Sequence, residues 1–302
     1  MLLGLGAALV AACLYGVAAV LQASGARQVD RASGLDPRIL LRILRQGPAA
    51  TALGLMLAGF LLHLVAIRLV PLFLAQAGIA VSLVVTALLA VSRFGERLSR
   101  TEWAAVTAVF VGLVLLSVSA GDVGTRGAGH IPVALLGGVA VIAVLGGLVS
   151  RTRSALGTAT LGLLAGFGYA VVGISARLLP DFVPVDLLRS PATYALVAGG
   201  SLAFFLYSLA LQRGAVTLAT TPMIVAQTVT PAIVGVLLLG DGVRSGWAAV
   251  AAAGFVVTVA AASALVRFEG AHPPPENEPL PLPEAPTLSR PTGRSDSRPT
   301  NG

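Results

Sequence analysis

Side chains able to do chemistry are sparse in this chain, and the candidates lie within or beside long apolar runs. His63 stands inside one such run. An imidazole there can take up and release a proton near neutrality, or sit neutral and bonded to a neighbouring segment. Gln76 and Gln227 bring amides, which when buried must bond either a solute or another helix. Gln227 is flanked by Thr220, Thr221, Pro222 and Pro231. Each proline removes a backbone donor and loosens a carbonyl four residues earlier, and freed carbonyls can line a polar cavity. Thr220, Thr221, Gln227 and Pro231 therefore read as a solute-facing strip, or else as a merely kinked packing helix. Tyr15 and Gln22 are the large polar groups of the first apolar run, and Tyr207 occupies a later one. With His63 and Gln76 they complete the candidate substrate path. Glu96 and Asp241 stand at the ends of apolar segments. Turn capping, or an ion pair holding one conformation, suits a carboxylate there better than cation coordination does. No metal ligands are assigned. HExxH, a phosphate-binding loop, CxxC and GxSxG are all missing from the sequence, so neither catalysis nor a cofactor is expected.

The segments that position these residues belong to a membrane. The chain has 302 residues, 56% hydrophobic and 11% charged, with a mean hydropathy of +0.89. A soluble domain carries roughly 25% charged residues. The single Cys13 allows no intramolecular disulfide. The net charge of +7 comes from arginines scattered beside apolar segments rather than gathered in one basic block, which argues against a nucleic-acid partner.

Apolar stretches predict nine spanning helices, at 2–24, 49–67, 70–92, 101–120, 131–149, 155–178, 192–211, 215–239 and 246–265. Roughly 20 residues at 1.5 Å each cross a hydrocarbon core of about 30 Å. The first lacks a basic leading region and is long, so an uncleaved helix is expected rather than a signal peptide. Eleven arginines fall in loops on the side away from the N-terminus, five of them between Arg27 and Arg45. Five others (Arg68, Arg126, Arg177, Arg189, Arg244) fall on the N-terminal side. The positive-inside rule then places the N-terminus outside and the C-terminus in the cytoplasm, in a multi-pass protein of the plasma membrane.

Several features belong to the edges of these spans. Asp36-Pro37-Arg38 followed by ILLRILR reads as a short interfacial helix or an ordinary charged loop, and Leu187-Leu188-Arg189 holds the matching place later. Arg68 and Arg213, at short turns, read as snorkelling anchors, and Trp103 and Trp247 as interfacial ones. Gly162 and Gly166 form a GxxxG pair suited to close helix packing. The tail from Glu269 to Gly302, with its run PPPENEPLPLPEAP, is expected to be disordered.

The apolar hairpin from Gly59 to Ala120 recurs about 145 residues later. Phe60 answers Phe204, His63 answers Tyr207, Glu96 answers Asp241, and Trp103 answers Trp247. Leu14-Tyr15-Gly16 resembles Gly168-Tyr169-Ala170, and Ala26-Arg27 resembles Ala176-Arg177. The expected fold is an all-α polytopic membrane protein of about nine transmembrane helices, in two inverted four-helix repeats joined by one extra helix. Residues 1–120 form the first repeat, 121–150 the linking helix, 151–266 the second repeat and 267–302 a cytoplasmic tail. Four spans plus one is odd, so the second unit enters the membrane from the opposite side.

Gly95-Glu96-Arg97-Leu98, and its weaker counterpart Gly240-Asp241-Gly242-Val243, resemble the recurring turn of the drug/metabolite transporter superfamily, which includes the EamA-like permeases. The proline expected in the preceding helix is Pro231 in the second copy but Thr86 in the first. Most such permeases have ten spans. Nine spans with an outside N-terminus look more like the NIPA-type magnesium transporter branch. The resemblance implies alternating-access transport of a small solute, with magnesium or another divalent cation as the alternative cargo and a non-transporting accessory protein as the third reading. The partners expected are the bilayer, a solute or ion, and a second copy of the chain in a homodimer. Transport requires a connected polar cavity bounded by spans one, three, six and eight that carries Gln76 and Gln227. An accessory protein requires no such cavity.

Overall fold

A computed structural model describes residues 2–26, 47–94, 99–124, 129–152, 154–180, 183–213 and 216–271. Ten α-helices account for nearly all of them: α1 Leu2–Ala26, α2 Gly47–Leu69, α3 Leu72–Phe94, α4 Arg100–Ser119, α5 Ile131–Val149, α6 Ala155–Leu178, the short α7 Pro184–Arg189, α8 Pro191–Arg213, α9 Val216–Val234 and α10 Ala248–Ala271. Nine of these have 19 residues or more, one at each expected span. Seven are long and apolar enough to cross a bilayer, while α1 and α2 contribute the shorter apolar stretches Leu2–Ala18 and Gly54–Leu69. The protein is thus an all-α, multi-span membrane protein. The expected interfacial helix after Asp36 and the tail beyond Ala271 lie outside the described residues, as do Glu96 and the side chain of Gln22.

Local chemistry sets the helix ends. Pro71 cannot extend α2, since it has no N–H, but its carbonyl accepts from Leu74 and Ala75 at the start of α3. Ser99 caps α4. Its Oγ accepts from the Glu102 amide at 3.3 Å, and Glu102 Oε2 accepts from the Ser99 amide at 2.6 Å. This S-x-x-E capping box is readable in the sequence. Ser154 caps α6 by accepting from Gly157 N at 3.0 Å. Pro222 and Pro231 both lie inside α9, which continues through them and then widens into a π turn at Gly235–Leu239. Gly240, at φ +81°, stops it in the left-handed conformation that glycine adopts without strain.

The helices pack in matched sets. α1 lies against α2 and α3, while α6 lies against α8 and α9. α4 and α10 pack on one another, and α3 meets α9. α3 and α6 are the most enclosed, with 61% of Leu72–Leu89 and 67% of Ala155–Leu178 buried, against 22% of α5. α5 is therefore peripheral. Its Val141, Val144 and Leu148 are exposed, as suits side chains that meet lipid.

Lipid tails give little hydrophobic drive to helix association, so contact must come from close approach. Gly162 and Gly166 supply it on α6. A Cβ at Gly162 would strike the main chain of Ala219, and one at Gly166 would come within 2.7 Å of Ala226 Cβ, both on α9. A cluster of Leu161, Leu164, Leu206, Met223 and Ile224 surrounds this seam. Gly162→Leu should force α6 off α9 and lower stability by about 1–3 kcal/mol, the usual range for overpacking. Gly147→Leu, on open space in α5, should be nearly neutral. Unfolding midpoints in detergent micelles check both.

Candidate functional site

Five of the nine substrate-path candidates, Tyr15, His63, Gln76, Tyr207 and Gln227, line one cavity of about 650 Å³. Six helices line it. α1 supplies Tyr15, α2 His63, α3 Gln76 and Ser82, α6 Tyr169, α8 Ser201 and Tyr207, and α9 Gln227. The expected boundary of spans one, three, six and eight corresponds to α1, α3, α6 and α9. The lining also draws on α2 and α8. Of its lining residues, His63 and Gln76 are buried, at 7% and 4% exposed. Gly173 on α6 leaves room for the Gln76 amide, which a Cβ at that position would strike. The repeat pairs Tyr15 with Tyr169 and His63 with Tyr207, and all four residues line this space. Its described lining carries no carboxylate and no arginine.

A second cavity of about 280 Å³ shares Ile79, Ser82, Tyr207, Met223 and Gln227 with the first, and Thr220, Thr228 and Thr258 add hydroxyls to it. The Tyr207 hydroxyl and Thr220 Oγ1 are hydrogen-bonded at 2.7 Å. Thr221 and Pro231 line neither cavity. Thr221 Oγ1 is enclosed without a hydrogen-bond partner. Pro231 stands behind Gly173, where an added Cβ would lie 3.7 Å from the proline ring.

Asp241 has a different place. Its side chain is fully buried and pairs with Arg177 at 2.7 Å. The carboxylate accepts three donors. Arg177 Nη2 and the Gly124 amide (2.9 Å) donate to Oδ1, and the Leu72 amide donates to Oδ2 at 2.7 Å. Leu72 opens α3, so its N–H would otherwise lack a helical partner, and the positive end of that helix favours a carboxylate. Glycine is needed on both flanks. A Cβ at Gly235 would come within 2.6 Å of Asp241 Oδ2, and one at Gly124 within 2.6 Å of Asp241 N.

The arginines around this pair are crossed. Arg177, in the last turn of α6, donates through Nη1 to the carbonyls of Ile67 and Val70 at the end of α2. Arg68, in the last turn of α2, donates to Leu179 O and Pro180 O beyond the end of α6, at 2.8 Å each. Each helix thus satisfies the open carbonyls of the other. Ile67 and Ala176 line the main cavity, and Arg68 and Arg177 follow them directly in the chain. The clasp therefore adjoins one end of the cavity.

Three sequence expectations are corrected here. Arg177 is not a loop charge and does not belong in the positive-inside comparison. Arg68 is not a plain snorkelling anchor, because unsatisfied carbonyls at a helix C-terminus offer its planar guanidinium two acceptors at once. Arg213 likewise donates to Ser150 O at 2.6 Å and, less closely, to Thr152 O, beyond the end of α5. Arg177 escaped sequence reasoning as a partner of Asp241. The available signal was the presence of one unlike charge in each of two otherwise uncharged segments.

No family model, no curated protein and no solved structure matches the chain. Removing either member of a buried ion pair strands the other, at a cost of about 3–5 kcal/mol. Asp241→Ala and Arg177→Met should each show a loss of that order by unfolding in micelles. The double variant should lose markedly less than the sum, and additivity would show that the two charges do not act as a pair.

Proposed function

We propose that the protein is a secondary transporter that moves a small uncharged solute by alternating access. The observation that carries this reading is the shared cavity, to which both halves bring equivalent residues (Tyr15 with Tyr169, His63 with Tyr207). A centre filled with packed side chains would leave no place for a solute. The matched helix pairings support an inverted repeat, with α1–α4 as one unit, α6 and α8–α10 as the other, and α5 between them. Two nearly equivalent units permit two packings, each opening the centre to one face. The Arg177–Asp241 pair and the Arg68 contacts suit a closed end, since together they tie α2, α3, α6 and the turn after α9. This assigns Asp241 the gating or structural role, with Glu96 holding the corresponding place in the first repeat by sequence. The resemblance to the drug/metabolite superfamily agrees with this architecture.

The chemistry of the lining supports an uncharged solute over a divalent cation. Hard cations favour several oxygen ligands, carboxylates above all. The cavity offers amides, phenols, hydroxyls and an imidazole. Among the described residues no group of three or more His, Cys, Asp or Glu could hold a metal ion.

Purified protein in proteoliposomes should move at least one member of a panel of uncharged metabolites. Gln227→Leu, which removes one amide from the lining, should cut that flux about tenfold, the worth of one good hydrogen bond. Uptake of radiolabelled magnesium that is lost in the same variant would replace the solute by the cation. Failure of both to move would leave the accessory reading. The arginine asymmetry of the loops further supports an outside N-terminus and a cytoplasmic C-terminus. A reporter active only in the cytoplasm should therefore work when fused after Gly302 and fail when fused before Met1, and the reverse result would invert the topology.

A further inference from the structure

The main cavity has one wall that does not close. α2 packs on α1, α3 and α6, and α8 packs on α5, α6 and α9, but α2 and α8 share no extensive seam. Both nevertheless line the same space, α2 through Met56, Leu57 and Phe60 and α8 through Leu196, Val197 and Gly200. Leu57 is 59% exposed and Val197 60% exposed. These side chains therefore face the cavity and the surroundings of the bundle at once. Depth decides what those surroundings are. Leu57 lies ten residues into α2 and Gly200 nine into α8. At 1.5 Å per residue that is about 14–15 Å from the start of each helix and about 18–20 Å from its far end, well inside a hydrocarbon core about 30 Å thick. An opening at that level meets acyl chains, not water.

Polarity changes along the path inward. The rim residues just named are apolar, with Ser201 beside Gly200 the one exposed polar side chain of the described lining, while the buried His63 and Gln76 lie on it with Gln227 and the phenols of Tyr15, Tyr169 and Tyr207. No charged side chain waits among the described lining residues, and an unpaired charged headgroup would be costly there. A mostly apolar cavity of this size with a few convergent polar groups suits a drug-sized ligand.

We infer that the space between α2 and α8 is a lateral portal from the bilayer, and that the ligand is an amphiphile with an uncharged, hydrogen-bonding head and an acyl-like tail. The head reaches His63, Gln76 and Gln227, and the tail lies in the portal. This names the substrate class of the transport reading and rests on that reading for what the bound state is for.

The test is photolabelling of the full chain in nanodiscs with a dodecanoyl glycerol monoester that carries a diazirine beside its head. Peptides bearing Tyr15, His63 or Gln76 should be labelled, and excess unlabelled dodecanoylglycerol should lower that labelling about tenfold. Gly200→Trp, which fills the portal, should lower it similarly, while Leu148→Trp on the lipid-facing side of α5 should not. Val197→Trp serves if Gly200→Trp fails to fold, as judged by its unfolding midpoint. If both misfold, comparison with a diazirine-glycerol probe lacking the chain decides, and only the chain-bearing probe should label the wild-type cavity. Labelling confined to lipid-facing helix surfaces, or equal labelling of the cavity by both probes, would overturn the portal. Stronger labelling by a quaternary-ammonium-headed analogue would overturn the uncharged head. Portal-dependent labelling without flux of any amphiphile would keep the binding site and sink transport. Flux of water-soluble solutes that is indifferent to a folded portal variant would keep transport and sink the portal.

Discussion

A carboxylate sealed from solvent inside an apolar bundle must be neutralised and bonded at once, and much of one end of this protein is arranged around that requirement. Asp241 has its charge met by Arg177 and its lone pairs met by the amides of Leu72 and Gly124. These donors come from the end of α6, the start of α3 and the segment after α4. None can move far without exposing a buried charge, which in a low-dielectric setting is the most expensive error a fold can make. The crossed arginine contacts extend the same logic, because each guanidinium answers carbonyls that a helix end leaves open.

Elsewhere the bundle relies on shape. Helices that gain little by leaving lipid for one another must approach closely to hold, and Gly162 and Gly166 let α6 meet the main chain of α9. The contrast with α2 and α8 is instructive. They frame a cavity without joining, so the tight seams lie around the open space and the loose one lies beside it. Rigidity at one end and a loose seam beside the cavity coexist because different contacts govern them.

Much of this was legible in the sequence, for identifiable reasons. Long apolar runs broken by proline, glycine and arginine locate helices to within a few residues, because bilayer thickness leaves little freedom in length. His63, Gln76, Tyr207 and Gln227 stood out because polar side chains are rare in such runs, and the structure brings them to one cavity. Thr221 stood out for the same reason and Pro231 for the carbonyl it frees, but both lie off the lining, since neither feature says which way a helix faces. The pairing of Arg177 with Asp241 left only the faint signal of two unlike charges in uncharged segments, and the carbonyl partners of Arg68, Arg177 and Arg213 were illegible. Each bond spans 61 residues or more, and a main-chain carbonyl leaves no trace in the side-chain code. The capping box at Ser99 is written in the S-x-x-E pattern, because both of its bonds lie within one turn of chain.

The connections after α4 and after α9 meet through main-chain groups. Gly121 N donates to Gly242 O, Gly242 N to Asp122 O and Arg244 N to Ser119 O, and Ala120 bridges to Val243. A joint made of peptide groups is indifferent to most side chains that pass through it. Substitutions at Ala120 or Val243 are therefore limited by the apolar core in which both pack rather than by the joint itself. Tolerance ends at Gly121 and Gly242, where an added Cβ would lie 3.0 and 3.1 Å from the opposite strand. Over long divergence such a joint preserves its geometry while its sequence drifts, with little more than a pair of glycines to mark where it was.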